Sequence, residues 1–363
     1  VADKYLIDVI AGDGIGLEVM PPAMECIDLL AARHGFDVTW RERDWNSERY
    51  LRDGAMMPSD GIEQMADGDG VFLGAVGSPG IPDDVTLWGL LIPIRREFMQ
   101  YINLRPTRLL NGLSARASEA DSIDIMVVRE NVEGEYSEIG GRVYRGRPDE
   151  LAIQEAIFTR RGVERAARFA FELAVRRGGR LISATKSNGI IHSMPFWDEV
   201  VNDVAEEYPK IEVESVLIDA LAARGVLRPD SLDVIVASNL FGDILSDLLS
   251  AVAGSIGIAP SANLNPEREF PSLFEPVHGS APDIAGLGVA NPVGQMWAGA
   301  MMLDHLGRGD AARELTDAFE RVIAAGHTTR DLGGTLGTRE FSDAVLEQLN
   351  KGSEFTISER RPA

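Results

Sequence analysis

Asp243 and Asp247 sit four residues apart in Phe241-Gly242-Asp243-Ile244-Leu245-Ser246-Asp247-Leu248. Helical spacing would put both carboxylates on one face, where like charges repel unless something neutralises them. Leu240, Phe241, Ile244, Leu245 and Leu248 around them predict a mostly buried helix. A buried carboxylate pair requires a cation, an arginine or a shared proton. Carboxylate oxygens suit Mg²⁺ or Mn²⁺, which take few protein ligands and fill their octahedron with water and substrate. The plainer reading is one aspartate near a helix start and a solvated one a turn later. The spacing is compatible with both.

Arg95, Arg96, Arg105 and Arg108 fall within one short stretch, and Arg129 follows an apolar run. Guanidinium forks match carboxylates through paired hydrogen bonds. A charge run is ordinarily a solvated face. Arg105 and Arg129, however, adjoin apolar segments, and a buried arginine needs an anionic partner. Tyr136 comes seven residues after Arg129, and Lys186 follows the strand-like Leu181-Ile182-Ser183-Ala184. Beside a metal, a tyrosine and a lysine can divide acid and base roles. Taken singly, each fits an ordinary core-edge tyrosine or surface lysine. Two glycine patterns fail as phosphate loops. Gly12-Asp13-Gly14-Ile15-Gly16 would need a glycine at position 17 and has Leu17, which leaves a structural tight turn. Lys186-Ser187 follows Thr185, where a nucleotide-triphosphate loop requires glycine.

Short apolar runs must position these groups. Leu6 to Ile10, Val71 to Leu73, Ile125 to Val128 and Val234 to Val236 predict buried strands, and Val213 to Val216 a half-exposed one. Gly162 to Arg177 and Ala311 to Ala324 carry apolar residues at helical spacing. Strands alternating with helices predict an α/β architecture with a largely parallel sheet. Gly74 to Pro82, Gly254 to Pro266 and Pro276 to Gly288 are expected as loops. Ile139 to Tyr144 is expected as a protruding hairpin turning at Gly140-Gly141. Ser353 to Ala363 is expected to fray.

At roughly 150 residues per domain, 363 residues predict two to three domains. A net charge of −22 disfavours nucleic acid and anionic membrane as partners, so an anionic ligand needs a local basic pocket or a bound cation. One cysteine, Cys26, excludes an intrachain disulfide and any multi-cysteine metal site. The best apolar stretch, Leu248 to Leu264, is broken by glycines, serines and Pro260 and is too short to span a bilayer. The first ten residues lack a signal-peptide layout, so the chain is expected to be cytoplasmic.

Together the motifs resemble the β-decarboxylating dehydrogenases of 2-hydroxy acids, from Ile10 to about Gly337. The resemblance rests on motifs that coincide in order: Gly12 to Gly16, Arg95 with Asn103-Leu104-Arg105-Pro106, and Arg129-Glu130 with Tyr136. They continue with Lys186-Ser187-Asn188, Ser238 to Asp243 with Asp247, and Glu275 to Asp283. It implies an isopropylmalate-dehydrogenase-like two-domain α/β fold with parallel and mixed sheets, not a Rossmann fold. The large cofactor-binding domain would comprise 1–101 and 254–363. The small domain, 102–253, would carry the dimer interface and an arm near 136–160.

The resemblance also implies a homodimer with shared active sites. Arg95, Arg105, Arg129 and Asn188 would bind a small dicarboxylate. Asp243 and Asp247 would ligate Mn²⁺ or Mg²⁺, with Asp219 from the second copy. Lys186, also from the second copy, would take the hydroxyl proton, and Tyr136 would protonate the enol. Glu275, His278, Gly279, Ser280, Ala281, Asp283, Asn291 and Asp331 would line the cofactor. Asp283 would repel a 2′-phosphate, which implies NAD over NADP. A monovalent cation such as K⁺ is a further cofactor the resemblance allows.

Substrate choice within the family rests on the γ-substituent. Isopropylmalate enzymes place Glu and an apolar residue where this chain has Trp88 and Gly189. Isocitrate enzymes place Ser and Asn in the stretch that here runs from Trp88 to Ile94. Leu87 to Phe98, Ser193 to Glu199 and Ala259 to Pro266 most resemble the branch acting on tartrate and D-malate. His192 departs from the small or apolar residue expected there. The expected reaction is therefore NAD- and Mn²⁺/Mg²⁺-dependent oxidation of tartrate and oxidative decarboxylation of D-malate. Leu90, Leu91 and Ile92 keep 3-isopropylmalate as an alternative. A non-catalytic regulatory subunit on the same fold is the alternative of another class.

Overall fold

The computed structural model describes residues 3–351; the expectation for Ser353 to Ala363 lies outside them. Val127, Val128, Val234 and Val236 are fully buried, as continuous β-branched runs require when both sheet faces are covered. In chain order the strands are β1 (Asp3–Gly12), β2 (Phe36–Glu42), β3 (Gly70–Ala75) and β4 (Ile102–Arg108). Next come β5 (Asp124–Glu130), β6 (Gly140–Val143), β7 (Leu151–Gln154) and β8 (Arg180–Thr185). The last are β9 (Glu212–Leu217), β10 (Val234–Ala237), β11 (Pro260–Leu264) and β12 (Ser272–Pro276).

Ten of them form one sheet in the order β2-β1-β3-β12-β11-β4-β5-β10-β8-β9. Pairing is parallel except at the centre, where β12-β11, β11-β4 and β4-β5 run antiparallel. The half from β2 to β11 comes from the two ends of the chain, and the half from β4 to β9 from its middle. The expected α/β class with a largely parallel sheet is what the chain adopts.

The strands expected from apolar runs all form, and β9 is the half-exposed edge strand. The two expected helices form as Arg160–Arg177 and Gly309–Ala324. Thr159 caps the first by accepting the Gly162 N–H.

Two expectations are corrected. Gly254 to Pro266 is not a loop throughout: it contains β11, buried along its length and paired on both sides. Pro260 is the first residue of that strand, where a missing N–H is tolerated. Nor is Gly140-Gly141 a turn. Both residues lie inside β6, which pairs antiparallel with β7, and the chain reverses between Tyr144 and Glu150. Tyr144 (φ 56°) and Gly146 (φ 76°) provide the left-handed backbone there. This hairpin stands off the main sheet with every strand residue exposed, including Val143, Leu151 and Ile153.

Candidate active site

β4 and β5 pair with Asn103 opposite Arg129 and Arg105 opposite Val127, so Arg105 and Arg129 project from the same face. The helix Asn239–Ala253 lies across that face. Its Gly242 meets Arg129 so closely that an added Cβ would sit 2.7 Å from the arginine Cβ and 2.8 Å from its Cγ. Gly242→Ala is therefore expected to cost about 1–3 kcal/mol of stability and to raise the substrate KM by displacing Arg129. Denaturant titration and a KM measurement check this; an unchanged KM would refute it.

Asp243 is the hub. Its Oδ1 accepts from Arg129 Nη1 and pairs with Arg105 Nη2 at 3.2 Å, and its Oδ2 accepts from the Tyr136 hydroxyl at 2.9 Å. Arg105 Nη1 reaches Asp247 at 3.0 Å and Ser246 Oγ at 2.8 Å. The Arg129 guanidinium lies 5.5 Å from the centre of the Tyr136 ring. Arg95, in the helix Ile92–Glu97, joins from the side and donates to Glu275 at 3.0 Å. Arg95, Arg105 and Arg129 are all buried, so the solvated-face reading fails for them. It fails for Arg108 too, which pairs with Glu320 and lies over Trp297, away from the hub.

The two aspartates differ electrostatically. Burial pushes the Asp243 carboxyl up, but Arg129 and Arg105 outweigh it and hold the group below its ordinary value. Burial raises Asp247, and Arg105 offsets this only in part. Asp247 thus carries the less compensated charge, at the more open end of the pair. Burial and then Asp243 push the Tyr136 phenol up, which keeps it protonated. The helix itself is less buried than expected at one position: Ile244 is 62% exposed, because no element among the described residues covers that side.

Lys186 and Asp219 form a separate pair, Nζ to Oδ1 2.6 Å, at the ends of β8 and β9. Among the described residues no three carboxylate, histidine or cysteine groups gather as a metal site, so Asp219 does not join Asp243 and Asp247 within one chain. The donor set still fits a hard cation: two carboxylates one helical turn apart, part-exposed and oxygen-only. Arg95 Nε and Arg105 Nε are buried without a hydrogen-bond partner, which suits an arriving carboxylate. Asn188 is exposed on the turn after Lys186, with His192 exposed nearby at the start of the next helix.

The glycine turn after β1 is structural. Ile15 N–H donates to Ser280 O at 2.9 Å, and a Cβ on Gly14 (φ 56°) would lie 2.1 Å from that same oxygen. The turn thus braces the loop His278-Gly279-Ser280-Ala281. In that loop the His278 ring bonds the Gly279 carbonyl through Nδ1 at 3.0 Å, which makes Nδ1 the donor and leaves Nε2 a buried, unpartnered acceptor. Burial lowers the His278 pKa, so the ring is neutral. An unpaired acceptor in a small-residue loop fits a hydroxyl- and amine-bearing cofactor. Asp283 is exposed beyond it. Glu275 lies by Arg95 and Asn263 rather than in that loop. Asp331 accepts from Asn291 at 3.0 Å, Ser255 at 2.7 Å and Thr329 at 2.6 Å, bracing the neighbouring segments.

Sequence reasoning overlooked Asn239, Glu135 and Glu130. Asn239 lies in the first turn of its helix, and its side chain holds Arg129. Glu135 accepts the Leu240 N–H and so caps the helix in place of Ser238. Glu130 is almost wholly buried, accepts from the Val132 and Glu133 N–H groups, and is pushed up to about 7 chiefly by burial. A raised folded-state value favours the native state most below the unfolded value of 4.5, and that benefit is lost as pH rises through about 7. Glu130→Gln should remove this fall, so wild type should lose up to about 3 kcal/mol relative to the variant between pH 5 and pH 8. Chemical denaturation at both pH values measures it; parallel stability changes would refute it.

The isocitrate/isopropylmalate dehydrogenase family matches residues 6–345. The chain belongs to that family. As an isocitrate/isopropylmalate dehydrogenase family member it is an oxidoreductase. It is 53% identical over 351 residues to the D-malate dehydrogenase [decarboxylating] of Escherichia coli (strain K12), covering 94% of this chain and 97% of that one. It is 50% identical over 359 residues to the tartrate dehydrogenase/decarboxylase of Pseudomonas putida, covering 96% and 98%. A solved isocitrate dehydrogenase from Methylococcus capsulatus superposes with a TM-score of 0.87 at 32% identity, over 95% of this chain and 99% of that one. Among the described residues no helix is long and apolar enough to cross a membrane.

Proposed function

We propose that this family member oxidises tartrate and oxidatively decarboxylates D-malate to pyruvate and CO₂, using NAD and Mn²⁺ or Mg²⁺. The observation that carries it is the convergence of Arg95, Arg105 and Arg129 around Asp243 and Tyr136. Its relatives named for tartrate and D-malate, at about 50% identity, support the substrate. So does the fate of the expected isopropyl pocket. Leu90 and Leu91 are withdrawn into the core with Ile10, Trp45 and Phe98, and only Ile92 lines the cleft with Arg95, Arg96 and Tyr136.

In this reading the three arginines fix the substrate carboxylates. Lys186 of a second copy, after giving one ammonium proton to water, accepts the hydroxyl proton as a neutral amine. When bound, NAD would supply the hydride acceptor for C2, and Asp243, Asp247 and the second copy's Asp219 would hold a divalent ion that supplies Lewis acidity for the new carbonyl. The bond to the departing carboxylate then breaks, its electrons enter the C2–C3 enol, and Tyr136 protonates C3. The loop from His278 to Ala281 holds the adenosine side of the cofactor, and Asp283 repels a 2′-phosphate. We place the large domain at 1–101 with 254–363 and the small domain at 102–253. The exposed apolar hairpin and the Ile244 face then serve the dimer.

NADH and NADPH formation should be followed with D-malate, tartrate and 3-isopropylmalate, each with and without Mn²⁺. Metal-dependent NADH formation from D-malate and tartrate is expected. A preference of roughly a hundredfold for 3-isopropylmalate would overturn the substrate. No metal-dependent turnover of any 2-hydroxy acid would identify a non-catalytic subunit.

A further inference from the structure

The segment from Asn131 to Ile139 that carries Tyr136 has no helix or strand of its own. Several ties fix it. Glu130 accepts the Val132 and Glu133 N–H groups, and Gly134 pairs with Ile157. Glu133 accepts from Thr159, and Arg96 donates to the Tyr136 carbonyl at 2.9 Å. One tie also reaches a substrate-binding arginine. Asn239 Nδ2 donates to the Glu133 carbonyl at 2.9 Å, while its Oδ1 accepts from Arg129 Nε at 3.0 Å and Nη2 at 2.6 Å. Asn239 is buried and lines the cleft with Arg95 and Tyr136.

We infer that Asn239 is the positioning residue that sets Arg129 and Tyr136 in register. The two ends of its amide act on different groups. Oδ1 occupies Nε and Nη2, which fixes the guanidinium plane and leaves Nη1 to reach Asp243. Nδ2 anchors the backbone three residues before Tyr136. Gly134 (φ 80°) folds closely over it, with a Cβ there lying 3.2 Å from Asn239 Cβ. Only an amide supplies an acceptor and a donor in this shape. An aspartate keeps the acceptor for Arg129 and loses the donor for Glu133. An alanine loses both.

The inference rests on the proposed roles of Arg129 and Tyr136, and the two substitutions test it separately from them. With D-malate, NAD and Mn²⁺, Asn239→Asp is expected to lower kcat at least about tenfold while KM stays within about threefold. Asn239→Ala is expected to lower kcat similarly and also to raise KM at least about tenfold. Thermal denaturation gives the folded fraction to which rates are scaled; if the alanine variant does not fold, the aspartate variant still decides. Scaled kcat and KM within about twofold of wild type in the folded variants would overturn the inference, as would an aspartate variant that loses KM as badly as kcat. Absence of wild-type turnover would instead overturn the proposed function.

Discussion

Arg129→Met is expected to lower kcat/KM for D-malate by between roughly a hundredfold and a few thousandfold, the effect of removing one partner from a buried, hydrogen-bonded charge pair. Three groups lose their donor at once. Asp243 loses Nη1, Asn239 loses Nε and Nη2, and on the proposed function the substrate carboxylate loses its fork. Burial and the neighbouring Arg105 disfavour the charge on Arg129, and Asp243 opposes them. Arg129→Lys should not rescue. A primary ammonium is a point charge and cannot satisfy Asn239 and Asp243 from opposite edges of one plane. Steady-state kinetics on both variants decide, and a lysine enzyme within about tenfold of wild type would refute the argument.

Tyr136→Phe is expected to lower kcat by about 10²–10⁴, the usual contribution of a positioned acid, with KM little changed. The hydroxyl donates to Asp243, which Arg105 and Arg129 still hold without it, so its loss leaves the arginine cluster standing. Because the defect falls after hydride transfer, the variant should release a burst of NADH near one equivalent per site and then turn over slowly. Loss of kcat without a burst would remove Tyr136 from the protonation step. Burial and Asp243 hold the phenol above its ordinary value.

Much of this was readable beforehand. The β-branched runs that became β5 and β10 announced a covered sheet, and an i, i+4 aspartate pair announced one helix face. Arginines beside apolar segments were correctly read as buried. The misses share a cause: each was settled by partners distant in sequence. β11 is a strand because β4 and β12 flank it, whatever its proline suggests locally. Gly140-Gly141 is strand because β7 pairs with it. Ile244 is apolar and so expected as core, yet among the described residues it stands mostly exposed. Asn239 carried no local signal, since its partners lie more than a hundred residues away.

Within one chain, Lys186 and Asp219 stand together while Arg129, Tyr136, Asp243 and Asp247 stand elsewhere. If each working centre draws one set from each of two copies, the defects become separable by genetics. A Lys186→Met chain and an Arg129→Met chain, each dead alone, would form mixed dimers in which one centre collects both lesions and the other collects none. Two inactive alleles expressed in the same cell would then complement, and random pairing would restore about a quarter of the wild-type centres.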